Sequence, residues 1–251
     1  MKIKFYHFQT KNTGDLMCAP YHYFDFPGEQ VHNHIRSKDL GECDAAIFGG
    51  GAVVGTMFNT GIAAQHRARV KVGWGIGSTK WGAHKRMAFQ MPRGLDLLGC
   101  RDWPNPDYVP CVSCMHELFD RSYEPTREAV LFINADGAIS KRVGASAAKG
   151  VPCLTNHSPI EKIIPWLGSG EVVLTNSYHG AYWAQLLGRK VILVNPYSSK
   201  FFNTRYAMPF VRDGQDWKER VKEATIVPGF LEESRSLNQN FYRRTMELID
   251  G

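Results

Sequence analysis

Residues 171–194 constrain the fold more than any other part of the sequence. An apolar run at 172–175 leads through a Ser-Tyr-His-Gly turn into a short helical stretch, and a second apolar run follows Gly188. Two buried strands joined by a helix form a βαβ unit, and such units build parallel sheets. The helix is predicted to begin at Ser177, beyond the carboxyl end of a strand, where helix-end amides favour an anion. His179 in its first turn is therefore a candidate functional residue.

The same alternation of apolar runs and helical stretches extends along most of the chain. Predicted strands lie at residues 2–8, 45–48, 70–74, 95–100, 129–133, 151–154, 172–175 and 191–194. Predicted helices lie at 56–67, 159–166, 178–187 and 230–249, and Asp15 stands where it could cap a further helix at 16–24. This order predicts an α/β protein with mainly parallel sheets.

A proline-rich segment at 103–125 separates two sets of predicted strands and lacks periodicity of its own. Domain boundaries fall in segments of this kind. We therefore predict an N-terminal domain at residues 1–115 and a C-terminal domain at 125–251, with the terminal helix belonging to the second.

Composition narrows the class of protein and its partners. Hydrophobic residues make up 43% of the chain, enough for real cores, and no apolar run is long enough to span a membrane. The N-terminus has no signal-peptide pattern, so we expect a cytoplasmic protein with reduced cysteines. The net charge of +6 suits an anionic ligand, but the basic residues are dispersed, and we expect no nucleic acid partner.

Two glycine clusters follow predicted strands, one at 49–51 and one at 73–77. Glycine lets a backbone approach a ligand closely, and successive N–H groups can hold phosphate or carboxylate. Neither cluster is a dinucleotide-binding fingerprint, and the chain has no P-loop sequence. Gly75, Gly77 and Ser78 are candidate anion-binding residues, although tight strand-to-helix turns explain such clusters equally well.

The pair Cys111 and Cys114, with Cys100 and His116 nearby, resembles part of a zinc site. A second Cys-x-x-Cys pair is missing, and the remaining ligands would have to come from irregular spacings. We therefore expect buried, inert thiols and no metal.

Taken together and in order, several motifs resemble the polysaccharide pyruvyl transferase family. They are Asn12-x-Gly-Asp15, the glycine turn at 49–51, the Gly75-Ile-Gly77-Ser78 turn, Arg101-Asp102, the stretch 175–180, the stretch 187–192, and Lys200-Phe201. The resemblance spans residues 1–205.

The resemblance implies two Rossmann-like domains that face each other across a cleft, as in GT-B glycosyltransferases. It also implies transfer of the enolpyruvyl group of phosphoenolpyruvate onto hydroxyls of a glycan or lipid-linked saccharide. The products are a pyruvate ketal and phosphate, and no cofactor is needed beyond the donor substrate. A lipid-linked acceptor would bring a cytoplasmic enzyme to the inner face of the membrane.

The same resemblance implies roles for individual residues. His179 is the expected acid that protonates the methylene carbon, and Arg101 and Lys200 are expected to clamp the carboxylate and phosphate. Helix-end groups of Ser177, Tyr178 and Gly180 are expected to help hold the donor. Asn12 and Asp15, with the glycine turn at 75–78, complete the predicted site. Many family members have arginine where this chain has Ser177.

Two other interpretations stay open at this point. A GT-B-like glycosyltransferase would use the same fold with a nucleotide sugar as donor, because fold does not fix the substrate. A non-catalytic saccharide-binding relative would keep the cleft without turnover, and His179 would then be a core histidine.

Overall fold

The computed structural model describes residues 1–135 and 148–251. These residues form two five-stranded sheets, and every pairing between named strands in both sheets is parallel. The predicted α/β class and the parallel sheets are therefore confirmed, and both sheets are Rossmann-like.

The first sheet contains the strands of the N-terminal half. They are β1 (Lys2–His7), β2 (Glu29–His34), β3 (Cys43–Gly51), β4 (Ala68–Ile76) and β5 (Leu97–Cys100). Their order in the sheet is β2-β1-β3-β4-β5. The chain therefore reverses its direction of winding between β1 and β3, and the carboxyl ends of these two strands flank a crevice.

The second sheet repeats this topology with the strands of the C-terminal half. They are β6 (Arg127–Ile133), β7 (Cys153–Thr155), β8 (Gly170–Thr175), β9 (Lys190–Val194) and β10 (Phe210–Val211). Their order is β10-β9-β8-β6-β7, which is the order of the first sheet read from the other edge. The winding here reverses between β6 and β8.

Six α-helices accompany the sheets within the described ranges. They are α1 (Thr13–Leu16), α2 (Val54–Thr60), α3 (Ile62–Gln65), α4 (Ile160–Gly168), α5 (Tyr178–Leu186) and α6 (Phe230–Asp250). Helix α5 is buried along its whole length, since β8 and β9, α4 and α6 all pack around it. Within the described residues, none of the helices combines the length and the apolar character needed to cross a membrane.

The terminal helix α6 returns to the first half of the chain. Phe241 and Ile249 lie in the core of the first sheet, and Phe241 packs edge-on against Trp74 with ring centroids 4.9 Å apart. The indole Nε1 of Trp74 donates to Asn238 Oδ1 at 2.9 Å. The helix that the sequence assigns to the second half therefore helps to cover the first sheet.

Two helix predictions are wrong in detail. The predicted helix at 16–24 is the short α1, and its N-cap is Asn12, whose Oδ1 accepts from Gly14 N at 3.1 Å, while Asp15 lies in the first turn. The helix ends early because Pro20 biases Ala19 toward extended backbone, and a 3-10 turn follows. The predicted helix at 56–67 is divided into α2 and α3 by Gly61, which has a φ of 64°.

Backbone hydrogen bonds join the two halves at two places next to a shared pocket. At the first, Thr13 N donates to Asn156 O at 2.9 Å. At the second, Ser199 N donates to Lys80 O at 3.1 Å, and Trp81 forms an antiparallel bridge with Ser198. These contacts fix the walls of the pocket relative to each other.

Candidate functional site

A cavity of about 180 Å³ lies where the two halves meet. Its lining residues come from both halves of the chain. They are Phe8, Asn12, Asp15, Ala52, Thr79, Trp81, Arg101, Asn134, Ser177, Tyr178, His179 and Lys200.

The topology explains why these residues meet. Those from the first half follow the carboxyl ends of β1, β3, β4 and β5, and Asn134 and Ser177 follow the carboxyl ends of β6 and β8. The pocket therefore lies at the winding reversals of both sheets, where open α/β sheets bind their ligands. One reversal opens a crevice in each sheet, and this site combines the two.

Arg101 carries the strongest local signal for a ligand. Arg101 is only 3% exposed, and its Cζ lies 3.9 Å from the ring centroid of Tyr178. Nε and Nη1 have no hydrogen-bond partner among the described residues. Buried guanidinium N–H groups are costly to leave unpaired, so this arginine is prepared for an anion.

Gly77 makes the position of Arg101 possible. A Cβ at Gly77 would lie 2.5 Å from Nε of Arg101 and 3.0 Å from Oδ1 of Asp102, so only glycine leaves room for both side chains. Gly77, in the second glycine cluster, does not line the pocket but lets the Arg101 side chain pack against the backbone.

Asp102 lies beside Arg101 and is almost fully buried. Its Oδ2 accepts from the backbone N–H of Ser78 at 2.6 Å. Burial raises the pKa of this carboxyl to about 6, against the opposing effects of the Arg101 charge and the Ser78 hydrogen bond. Asp102 balances part of the arginine charge without lining the cavity.

The start of α5 has the predicted geometry of a strand-to-helix turn. Ser177 is the N-cap residue, and its Oγ accepts from Gly180 N at 3.3 Å. Ser177 N donates to Thr175 Oγ1 at 2.9 Å, which fixes the turn after β8. Asn176, between them, is fully buried, and its Nδ2 has no partner among the described residues.

Lys200 provides the second cation of the pocket. Its Nζ hydrogen-bonds the hydroxyl of Tyr197 at 2.9 Å and lies 4.9 Å from the centroid of the same ring. Unlike Arg101, this lysine is partly exposed, so it stands at the rim of the site. The pocket therefore has one buried and one partly exposed positive group.

His179 lines the pocket and also contacts two buried thiols. Its Nε2 lies 3.2 Å from Cys18 Sγ and 3.7 Å from Cys111 Sγ. The two sulfur atoms are 3.7 Å apart. On the other side of the ring Nδ1 faces Gly14, where an added Cβ would be 2.1 Å away. The imidazole is thus held between α1 and the cysteines.

The two thiols differ in their acidity. Burial raises the pKa of a thiol, but hydrogen bonds to Cys18 and His179 outweigh it and hold the pKa of Cys111 well below its usual range. The pKa of Cys18 is raised by its hydrogen bond to Cys111 and by burial.

Most of the predicted site residues converge on the cavity. Those that line it are Asn12, Asp15, Arg101, Ser177, Tyr178, His179 and Lys200. Gly75, Gly77, Ser78 and Gly180 are not lining residues. Gly180 faces Phe132, where an added Cβ would be 2.4 Å from Cδ1, so this glycine lets α5 pack closely on β6.

The sequence prediction lacks five residues that line the cavity, Phe8, Ala52, Thr79, Trp81 and Asn134, and it also lacks Cys18 beside His179. Asn134 follows β6 directly, and the rule that ligands bind beyond carboxyl strand ends would have found it. Trp81 stacks on Tyr197 at the rim and is 56% exposed, which only the structure reveals. Cys18 lies 93 residues before its sulfur partner Cys111, and no spacing rule connects them. The group Cys100, Cys111, Cys114 and His116 is not assembled in the described residues.

Together, the fold and the site define a doubly wound α/β protein with a cationic pocket at its sheet reversals. Comparisons with protein-family models and with curated proteins find no match to this chain. The assignment to the pyruvyl transferases therefore stays a prediction that depends on the residues themselves.

Proposed function

We propose that this protein is a pyruvyl transferase that moves the enolpyruvyl group of phosphoenolpyruvate onto hydroxyls of a glycan or lipid-linked saccharide. The observation that carries the proposal is the buried guanidinium of Arg101, whose Nε and Nη1 have no partner among the described residues and which lines the pocket. A carboxylate or phosphate oxygen supplies the acceptors that these N–H groups need.

The size of the pocket favours a small donor. Pockets for drug-sized ligands have volumes of roughly 300–1,000 Å³. The cavity at Arg101 measures about 180 Å³. A nucleotide sugar would have to leave much of its surface outside, whereas phosphoenolpyruvate carries its two anionic groups on three carbons. The volume therefore supports the pyruvyl donor over the nucleotide-sugar alternative.

Arg101, Lys200 and the start of α5 would each bind a different part of the donor. Arg101 binds one anionic group bidentately inside the pocket, and Lys200 at the rim binds the other as a point charge. The N-terminal turn of α5, which begins at Tyr178, adds the favourable end of the helix dipole.

His179 is the proposed proton donor because it lines the same cavity. Its proton passes to the methylene carbon of the donor and makes the adjacent C2 electrophilic. One acceptor hydroxyl adds to C2, the C2–O bond to phosphate then breaks, and the second hydroxyl adds in its place to give the ketal. One hydroxyl proton restores the acid, and the other leaves with phosphate.

A binding panel tests the donor without knowledge of the acceptor. Purified protein is titrated with phosphoenolpyruvate, pyruvate, inorganic phosphate and a set of nucleotide sugars, and the shift in unfolding temperature is recorded. We expect saturable stabilisation by phosphoenolpyruvate that exceeds the effect of pyruvate or phosphate alone. Stabilisation by a nucleotide sugar without an effect of phosphoenolpyruvate would overturn the proposal.

Matched variants separate the site from general charge effects. Lys200→Ala is expected to weaken phosphoenolpyruvate binding, because a rim cation is lost from a partly exposed position. Arg127→Ala is the control, since Arg127 also stacks on an aromatic ring, that of Trp166, but does not line the pocket. Equal effects of the two substitutions would contradict the assigned site.

A further inference from the structure

We infer that Cys18, Cys111 and His179 form a binding site for Zn²⁺. The sequence around Cys111 predicts inert thiols, because its neighbours in the chain do not supply a complete set of ligands. The structure instead places ligand atoms from three distant segments within 4.8 Å of one another, and all three residues are buried.

The three interatomic distances fit a tetrahedral metal. Zinc lies about 2.3 Å from thiolate sulfur and about 2.0–2.1 Å from imidazole nitrogen, so the tetrahedral edges are about 3.8 Å between sulfurs and about 3.6 Å between sulfur and nitrogen. The corresponding distances here are 3.7 Å between the sulfurs, and 3.2 and 3.7 Å from the sulfurs to Nε2. Shifts of a few tenths of an ångström would complete the geometry.

The neighbours of Cys111 fix its position in the way that outer-shell groups fix metal ligands. Ser113 Oγ lies 3.2 Å from Cys111 Sγ and is itself held by Trp183 Nε1 at 2.9 Å. The backbone carbonyl of Cys111 accepts from the hydroxyl of Tyr182 at 2.9 Å. Both aromatic residues lie on α5, the helix that also carries His179, so one element orients two of the three ligands.

The donor set indicates which metal the site would take. Two thiolates and an imidazole suit zinc, whereas magnesium and calcium require oxygen ligands. Three protein ligands leave one tetrahedral position for a water molecule or another exogenous group, which is the arrangement of open zinc sites. The inference depends on the geometry of these three side chains and does not rest on the proposed function.

Cobalt substitution tests the site directly, because Co²⁺ bound by thiolates has a charge-transfer band and intense visible bands when tetrahedral. The experiment uses the full chain carrying Cys153→Ser, which removes the exposed thiol. The protein is reduced, freed of metal and titrated with Co²⁺, and Zn²⁺ is then added in competition. We expect one equivalent of Co²⁺ with a thiolate band, and displacement by one equivalent of Zn²⁺.

Ligand variants and a matched control decide the outcome. Cys18→Ser and Cys111→Ser are expected to weaken Co²⁺ binding at least about tenfold and to reduce the thiolate band. Cys114→Ser is the control, since Cys114 is equally buried but lies outside the cluster, and its spectrum should be unchanged. Circular dichroism confirms that each variant is folded. Absence of stoichiometric binding, or an unchanged band in folded Cys18→Ser and Cys111→Ser, would overturn the inference whether or not phosphoenolpyruvate binds.

Discussion

A methyl group on Gly14 would lie 2.1 Å from Nδ1 of His179. Gly14 belongs to α1 in the first half of the chain, and His179 lies in the first turn of α5 in the second half. The absence of a side chain at Gly14 therefore determines where the candidate acid can lie. This contact links the two halves at the imidazole of His179.

Gly14→Ala is expected to displace the His179 ring and to lower the free energy of unfolding by about 1–3 kcal/mol, the usual cost of overpacking. Phosphoenolpyruvate turnover, once an acceptor is known, should fall further than binding does. Urea unfolding measures the first effect. Gly55→Ala is the control, because nothing lies within 4 Å of an added Cβ there and helix propensity favours alanine by about 1 kcal/mol. Equal stabilities of Gly14→Ala and the parent protein would contradict the contact.

The stacking of Arg101 on Tyr178 predicts a difference between two substitutions of the tyrosine. Tyr178→Phe keeps the ring under the guanidinium, whereas Tyr178→Leu removes an interaction worth about 2 kcal/mol in a desolvated site. We expect phosphoenolpyruvate affinity close to that of the parent in the first variant and at least about tenfold weaker in the second. Isothermal titration calorimetry compares them, and equal affinities would show that the ring does not position Arg101.

His66 predicts a loss of stability in mild acid. Burial first, and then the charge of Lys4, lower the pKa of His66 to about 4. Its Nδ1 accepts from Ala68 N, so the proton lies on Nε2 and bonds the hydroxyl of Tyr6. Below pH 6.5 His66 is protonated in the unfolded chain but stays neutral in the folded protein. The free energy of unfolding therefore falls by up to about 3 kcal/mol as the pH drops toward 4.

His66→Gln should remove that component of the pH dependence. Unfolding free energies of the parent and the variant at pH 7 and pH 4.5 measure the difference. A variant that loses as much stability as the parent over this interval would contradict the buried neutral state of His66.

Asp102 predicts a pH dependence of the free energy of unfolding that is opposite in sign to that of His66. Its folded-state pKa of about 6 lies above the ordinary value of 3.8, because burial disfavours the charged form. Between these values the folded protein binds the extra proton, so ionisation of Asp102 lowers the free energy of unfolding by up to about 3 kcal/mol as the pH rises from 4 to 7. Asp102→Asn should lack this decrease, and parallel pH profiles for the variant and the parent would contradict it.

The sequence predicts eight of the ten strands in the described residues because these are short apolar runs, and the parallel sheets follow from the alternation of strands and helices. It misses β2, which is mostly polar, and β10, which has only two residues. It fails at α1, where Asn12 and Asp15 are both suitable caps and only the packing of the folded chain selects Asn12. Local propensity also does not reveal that Gly61 interrupts the helix that begins at Val54.

The site is predicted unevenly, for physical reasons. Ser177 and His179 could be found because a strand-to-helix turn is a local pattern. The roles of Arg101 and Lys200 follow from the family resemblance alone, since their position in one pocket depends on how the two sheets are joined. Cys18 was missed altogether because its contact with His179 spans 161 residues and follows no local spacing. Long-range packing brings such groups together, and a single sequence does not encode it in a readable pattern.

The most direct test of the central claim is calorimetric titration of phosphoenolpyruvate into the parent protein and into Arg101→Lys. Lysine keeps the positive charge but lacks the planar guanidinium, whose Nε and Nη1 have no hydrogen-bond partner among the described residues. Arg127→Lys is the control, and unfolding curves confirm that all proteins are folded. The account predicts one saturable site in the parent and the control, and binding at least about tenfold weaker in Arg101→Lys. Failure of the folded parent to bind, or equal affinity in Arg101→Lys, would contradict it.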